Sequence, residues 1–316
     1  MSILVTGGAG FIGSHTVDAL LARGDTVACA DNFNDYYSPE RKRKNLAQAR
    51  CSSSFRLYEA DVRDVESMAA LFEREKPDKV IHLAAMAGVR NSVEHPLLYE
   101  DVNIRGTLNL LQLASRHGVR NFVLASTSSV YGDSARIPFT EDDPAIHPLA
   151  PYPATKRACE LLAHVYHNLC GLRCTALRLF SVYGPRGRPD MTPYLFTEAI
   201  SQGREISLFD EGRPRRDWTY IDDIVSGVLS AVDADHEFEV FNVGNSQPIV
   251  MRDLVNIIER LLHRQASIVT APLPASEPPV TFADISKARR LLGYAPRVEI
   301  EEGMRRFVDW YREEVV

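Results

Sequence analysis

Six short apolar runs, rich in β-branched or aromatic residues, mark the first 180 residues at 2–6, 25–30, 55–60, 79–83, 121–126 and 173–179. Between them lie segments with helical spacing of apolar side chains, at 12–23, 65–74, 108–117 and 153–169. A run that is apolar at every position needs cover on both faces, and strands alternating with helices build βαβ units. The pattern predicts an α/β chain, a doubly wound parallel sheet of the Rossmann type. After residue 180 the texture changes. YGPRGRPD at 183–190 is too dense in Gly, Pro and Arg for regular structure. Beyond it we expect a helix near 193–202, a strand near 205–209, a loop at 210–216, a helix near 221–232 and a strand at 239–243. Further helices begin near Met251, Ile285 and Glu301. The expected division is a first domain over 1–180, with parts of 217–247 returning to it, and a smaller mixed α/β lobe over 181–316.

A chain of 316 residues has room for about two such units. Its 36 basic and 42 acidic residues give a net charge of −6, which offers no global attraction to nucleic acid or anionic lipid. No apolar stretch approaches the ~20 residues of a membrane span, and no secretory signal precedes the first strand. The cysteine count is odd, at five, and Cys170 and Cys174 are expected on either side of a helix-to-strand turn at Gly171. These features suit reduced thiols and a cytoplasmic protein. The basic run Arg41–Lys44 is read as a solvated helix face.

Thr6-Gly-Gly-Ala-Gly-Phe-Ile-Gly13 places Gly7, Gly10 and Gly13 between the first strand and the first helix. There, backbone N–H groups and the helix dipole can receive a pyrophosphate, with Phe11 and Ile12 opening the helix. Asp31, followed by Asn32, ends the second strand, where a carboxylate bonds adenosine ribose hydroxyls and repels a 2′-phosphate. The expected cofactor is NAD. Asp61 and Val62 end the third strand and Leu83, Ala84 and Ala85 the fourth, on the sheet edge along which a dinucleotide runs; Asn103 completes the expected set.

Tyr152 and Lys156, in YPATK, stand one helical turn apart on one face. A phenol with an ordinary pKa of about 10 needs a drop of about three units, roughly 4 kcal/mol, to act as a base near pH 7. A lysine one turn away and a positive nicotinamide can supply it. The fifth strand ends in Ser126-Thr127-Ser128-Ser129, a run of hydroxyls at the same sheet edge. No metal site is expected: His164 and His167, at i and i+3, are read as surface or interface residues, and His82 is read as packing.

With these motifs in order, the chain resembles extended short-chain dehydrogenases/reductases, and among them nucleotide-sugar epimerases of the UDP-glucuronate 4-epimerase group. The resemblance rests on TGGAGFIGSH at 6–15, HLAAMAGVRNS at 82–92, STSSVYG at 126–132 and YPATK at 152–156. VYGPRGRPDM at 182–191, RRDWTYIDDI at 215–224 and ADISKARRLLGY at 283–294 extend it over nearly the whole chain. It implies that Tyr152 takes the sugar 4-OH proton, that Thr127 bonds O4 and relays it, and that Lys156 holds the nicotinamide ribose. It further implies that the C4 hydride passes to NAD and returns to the opposite face of a 4-keto sugar.

The resemblance also bears on which sugar. Dehydratases and decarboxylases of this kind carry a glutamate where this chain has Ser129. Arg188, with Thr127, Ser128, Ser129 and Ser181, matches the set that grips a C6 carboxylate in the glucuronate epimerases. Phe209 would stack on uracil and Arg216 would contact the diphosphate. Pro274-Ala-Ser-Glu277 departs from the usual Gln/Arg-Pro-Gly-Asp, so Glu277 is expected to stand in for the ribose-binding aspartate. Arg186, Arg213 and Arg215 are expected to face the site beside Arg188 and Arg216. The partner is thus a UDP-sugar, with neither nucleic acid nor membrane, and pairing of the helices near 108–117 and 161–169 across a homodimer is expected. The open alternatives are a 4-epimerase for a neutral UDP-hexose or N-acetylhexosamine, a reductase or UDP-glucuronate decarboxylase, and a catalytically idle NAD-binding scaffold.

Overall fold

The computed structural model describes residues 1–134, 136–234 and 236–315. Strands β1 (Ser2–Thr6), β2 (Thr26–Asp31), β3 (Phe55–Glu59), β4 (Lys79–His82), β5 (Asn121–Thr127) and β6 (Cys174–Leu179) form one sheet, completed by the strand Phe238–Val243. All neighbours pair in parallel, and from one edge the order is Phe238–Val243, β6, β5, β4, β1, β2, β3. Successive residues alternate faces, yet both faces are covered. Ile3 and Val5 pack in one core with Val17 and Ile224, while Leu4 packs in the other with Met68 and Leu110. That double cover is why these runs are apolar throughout rather than alternating.

Helix α1 (Phe11–Ala22) follows β1 at the point where strand order reverses, opening a crevice between the carboxyl ends of β1 and β4. The predicted strands and helices of the first half are present, and Gly171, at φ 67°, turns the chain between Cys170 and Cys174. All five cysteines are free thiols.

Three readings change. The basic run lies in α2 (Pro39–Asn45), but Lys42 is buried, its ammonium donating to the carbonyl and side chain of Asn34 at 2.6 and 2.7 Å. Arg41 donates to the Tyr194 hydroxyl, so only Arg43 and Lys44 form a solvated face. Residues 89–105 had no assigned element, and they follow α3 (Val65–Glu75) and β4 as α4 (Val89–Glu94), α5 (Pro96–Tyr99) and a π-helical turn, Glu100–Arg105. Pro96 breaks the run and Leu97 points outward, which erases the apolar period. The later half also holds short strands that the pattern missed: Ser181–Tyr183 pairs with Trp218–Tyr220, and Ser267–Ala271 pairs with the expected strand at Glu205–Phe209.

Buried Asp217 gathers the later segments. Its carboxylate accepts from the backbone N–H groups of Asn245, Ser246 and Ala283 at 2.9–3.1 Å. Burial pushes its pKa up to about 6, against those bonds.

Candidate active site

The crevice opens into a single cavity of about 970 Å3 that reaches from the glycine loop to Glu277. At the loop, contacts leave no room for side chains. A Cβ at Gly13 would stand 2.1 Å from the Gly7 carbonyl oxygen, and one at Gly7, where φ is +69°, would stand 2.6 Å from the Ala84 nitrogen. Backbone therefore packs on backbone at this part of the cavity wall, where a pyrophosphate would approach α1. Asp31 is buried at the end of β2, accepting from the Ala9 and Phe33 N–H groups at 3.0 and 2.9 Å. Each oxygen keeps a lone pair for a ribose hydroxyl. Phe11, Ile12, Asn32, Val62, Leu83, Ala84 and Ala85 also line the wall. These residues fit a dinucleotide.

Two expected cofactor residues stand apart from the wall. The Asp61 carboxylate is engaged by Arg63 through Nε and Nη2, at 3.0 and 2.8 Å, and by the Asn32 amide at 2.9 Å. Those donors hold its pKa down at about 2. Asn103 is buried in the π-helical turn, bonding both backbone groups of Met86 and the Thr155 hydroxyl at 2.8–3.0 Å. It braces the loop after β4 against the helix that carries the tyrosine. His82 is a neutral strut, bonded to Thr6 at 2.7 Å and to Thr107 at 3.0 Å, with burial pushing its pKa down to about 3. His164 and His167 pack their rings on Phe238.

The helix α7 (Pro151–Cys170), which follows α6 (Gly106–Arg116) and β5, carries Tyr152 and Lys156 into the cavity. Pro151 and Pro153 sit in its first turn, where a missing N–H costs nothing. Thr127, at the end of β5, accepts from the Ser129 N–H at 3.2 Å and donates to the Ser129 hydroxyl at 3.2 Å. Ser128 and Ser129 share that wall. The Tyr152 ring meets Tyr99 edge-on, 6.0 Å between centroids. Burial raises the Tyr152 pKa; against it act the charge of Arg188, the largest favourable influence, and a hydrogen bond with Thr127. Helical spacing and the family resemblance both point to Lys156 for that part. Lys156 is itself buried, which lowers its pKa.

At the far end, Ser181, Arg188, Phe209 and Arg216 all line the cavity. Arg188 donates Nε and Nη2 to Asp190 at 2.9 and 2.8 Å. Glu277 bridges two arginines: Arg216 at 3.2 Å and Arg90 at 2.7 and 2.8 Å. Arg90 also lies over the Phe209 ring at 4.9 Å, so that ring already carries a planar cation. The other expected arginines turn away. Arg186 pairs with Asp18 on α1, Arg213 with Glu211 in solvent, and Arg215 is exposed. Sequence reasoning missed Arg90, Tyr36 and Asp190, all of which line this end. Arg90 and Asp190 lie inside motifs already singled out, where a charge amid Gly and Pro was the available signal.

The stretch 3–244 matches the model of the NAD dependent epimerase/dehydratase family. The UDP-glucuronate 4-epimerase of Thermodesulfobacterium geofontis is 42% identical over 313 residues, covering 99% of this chain and 96% of that protein. The structure of the Bacillus cereus UDP-glucuronic acid 4-epimerase with UDP-glucuronic acid and NAD superposes with a TM-score of 0.93, at 34% identity over 99% of each chain. That of the Thermotoga maritima UDP-glucose 4-epimerase with UDP-glucose gives a TM-score of 0.92, at 34% identity over all of both chains.

Proposed function

The chain belongs to the NAD dependent epimerase/dehydratase family, and on that premise we propose that it inverts C4 of a UDP-uronic acid, interconverting UDP-glucuronate and UDP-galacturonate. Its activity is that of an NAD-dependent UDP-sugar 4-epimerase. The observation that carries the choice of sugar is Arg188: a cation on the cavity wall whose charge reaches the Tyr152 phenol.

Bound NAD supplies the acceptor and donor of the C4 hydrogen. The chain does the rest. Tyr152 Oη takes the proton of the sugar 4-OH while Thr127 holds O4, and the same phenol returns the proton after the ring has presented its other face. Lys156 bonds the cofactor ribose and fixes the dinucleotide beside the phenol. Gly7, Gly10 and Gly13 admit the pyrophosphate, and Asp31 accepts the adenosine ribose hydroxyls. Phe209 and Arg216 hold the nucleotide, with Glu277 facing its ribose. No atom is gained or lost overall, so the net reaction is an isomerisation. Arg188, Ser181 and the Thr127–Ser129 hydroxyls hold the C6 carboxylate. A 4-keto uronate is a β-keto acid, and a guanidinium paired to its carboxylate disfavours loss of CO2. Ser129 cannot act as the carboxylic acid of a dehydratase. In this reading 1–180, with parts of 217–247, hold the cofactor, and 181–316 hold the nucleotide sugar.

The test is to incubate the protein with UDP-glucuronate, UDP-glucose and UDP-N-acetylglucosamine, without added NADH, and follow the sugars by NMR. A galacturonate product is expected. Turnover confined to a neutral sugar sinks the uronate reading, and a pentose product points to decarboxylation. Arg188→Ala is expected to lower kcat/KM for the uronate by at least about 10²-fold, the loss of a bidentate charged contact, with a smaller fall for UDP-glucose. An unchanged ratio between the two sugars overturns the role of Arg188.

We also propose a homodimer. Leu161, Val165 and Leu169 recur along one face of α7 at 54, 43 and 74% exposure, and Leu108 on the adjoining α6 is 38% exposed. An apolar stripe of this extent on neighbouring helices is suited to burial against its own copy. Val165→Lys is expected to shift the sedimentation coefficient to that of a monomer. A wild-type protein that sediments as a monomer removes the proposal.

A further inference from the structure

Arg188 does not stand alone on the cavity wall. Its Nε and Nη2 are bonded side-on to the Asp190 carboxylate at 2.9 and 2.8 Å. Asp190 is in turn held from the other side, accepting from the Tyr36 hydroxyl at 3.0 Å. The Tyr36 ring lies under the guanidinium, 5.8 Å from its carbon to the ring centroid, and packs, as Tyr152 does, against the cluster of Met86, Tyr99 and Val102. The loop after β4 closes the third side. Gly88 adopts φ +111°, and a Cβ there would stand 2.6 Å from the Tyr36 oxygen and 3.7 Å from an Asp190 oxygen. Three segments distant in sequence, at 36, 88 and 188–190, thus converge on one carboxylate.

Arginine offers five N–H donors in one plane, enough for two carboxylates on different edges. Asp190 takes the side edge, and among the described residues Arg188 Nη1 has no protein partner. The end edge, with Nη1, is therefore presented in one orientation. A flexible arginine would lose rotamer freedom on meeting its ligand; one already clamped loses less. We propose that Asp190, itself held by Tyr36, is the positioning residue that aims the end edge of Arg188 at the sugar carboxylate, and so sets the preference for an acidic sugar. This inference rests on the uronate reading above.

Asp190→Asn replaces one acceptor oxygen by an NH2 that faces guanidinium donors, while leaving size almost unchanged. Dissociation constants for UDP-glucuronate and UDP-glucose are measured by calorimetry on NAD-loaded protein, in a Tyr152→Phe background that does not turn the sugars over. Asp190→Asn is expected to weaken UDP-glucuronate by about 10-fold or more and UDP-glucose by less than about 3-fold. Asp190→Glu should restore part of the difference, and Tyr36→Phe should cause a smaller loss in the same direction. Equal weakening of both sugars assigns Asp190 to general structure and overturns the proposal. Tighter uronate binding overturns it too, since Asp190 would then be a competitor for Arg188. Arg188→Ala separates this failure from failure of the uronate reading. If Arg188→Ala abolishes the acid preference and Asp190→Asn keeps it, only the positioning inference falls; if Arg188→Ala keeps it, the uronate reading falls with it.

Discussion

Tyr152→Phe is expected to lower kcat by at least about 10³-fold while leaving the fold and the affinity for UDP-sugar nearly intact. The change removes one oxygen from a ring whose packing against Tyr99 does not depend on it. Proton transfer by a placed side chain is worth about 10²–10⁴-fold, and no other titratable group is described within bonding reach of Thr127. The same residue sets a pH dependence. Burial raises the Tyr152 pKa and the Arg188 charge lowers it, so the active phenolate gains population as pH rises and the rate climbs with it. Removing Arg188 takes away positive charge, disfavours the phenolate and moves that rising limb to higher pH. NMR progress curves over a pH series, for wild type, Tyr152→Phe and Arg188→Ala, measure both effects. Residual turnover within about tenfold of wild type in Tyr152→Phe would remove it as the base, and a limb that stays fixed in Arg188→Ala would remove the electrostatic link.

Much of the architecture was legible because parallel strands carry their environment in their sequence. Ile3, Leu4 and Val5 point alternately to opposite faces, both are covered, and the run is apolar without a break. The glycine loop, Asp31, Tyr152 and Lys156 were legible for a related reason: each is a residue type demanded by local geometry at the end of an element. Side-chain partnerships between distant segments were not. Nothing in Asp190 announces Tyr36, 154 positions earlier, and nothing in Glu277 announces Arg90. The same blindness hid the Arg63 guanidinium that engages the Asp61 carboxylate. It also made Lys42 a surface lysine, when the loop before α2 folds back over its ammonium. One signal was available and unused. Arg178 lies in the apolar run 174–179, and a charge on a strand covered on both faces requires a buried partner.

That partner is Glu160, and Glu160→Ala is expected to destabilise the protein by about 3–5 kcal/mol, the cost of leaving one member of a buried ion pair uncompensated. Arg178 gives Nε and Nη2 to the two Glu160 oxygens at 3.0 and 2.9 Å, with side-chain exposures of 2% and 0%. Ser126 and Arg157 complete the carboxylate, and the guanidinium lies over Tyr131 at 4.8 Å. Among the described residues the remaining nitrogen, Nη1, has no hydrogen-bond partner, so losing Glu160 leaves the cation no anionic partner and only the face of Tyr131. Position makes the pair matter to function as well. Glu160 is one turn beyond Lys156 on α7, Ser126 precedes Thr127 on β5, and Arg178 lies on β6. The network therefore fixes the distance between the helix that bears the phenol and the strand that bears the threonine. Urea unfolding of Glu160→Ala, Arg178→Met and the double variant measures the stability part. Arg178→Met alone leaves a carboxylate with Ser126 and Arg157, and should cost less than Glu160→Ala. The double variant, with neither charge, should recover part of the loss. Additive losses in the double variant would show that the two residues do not act as a pair. With turnover followed at a temperature where the variants remain folded, kcat should fall in Glu160→Ala while the affinity for UDP holds, because the nucleotide end of the cavity lies on other segments.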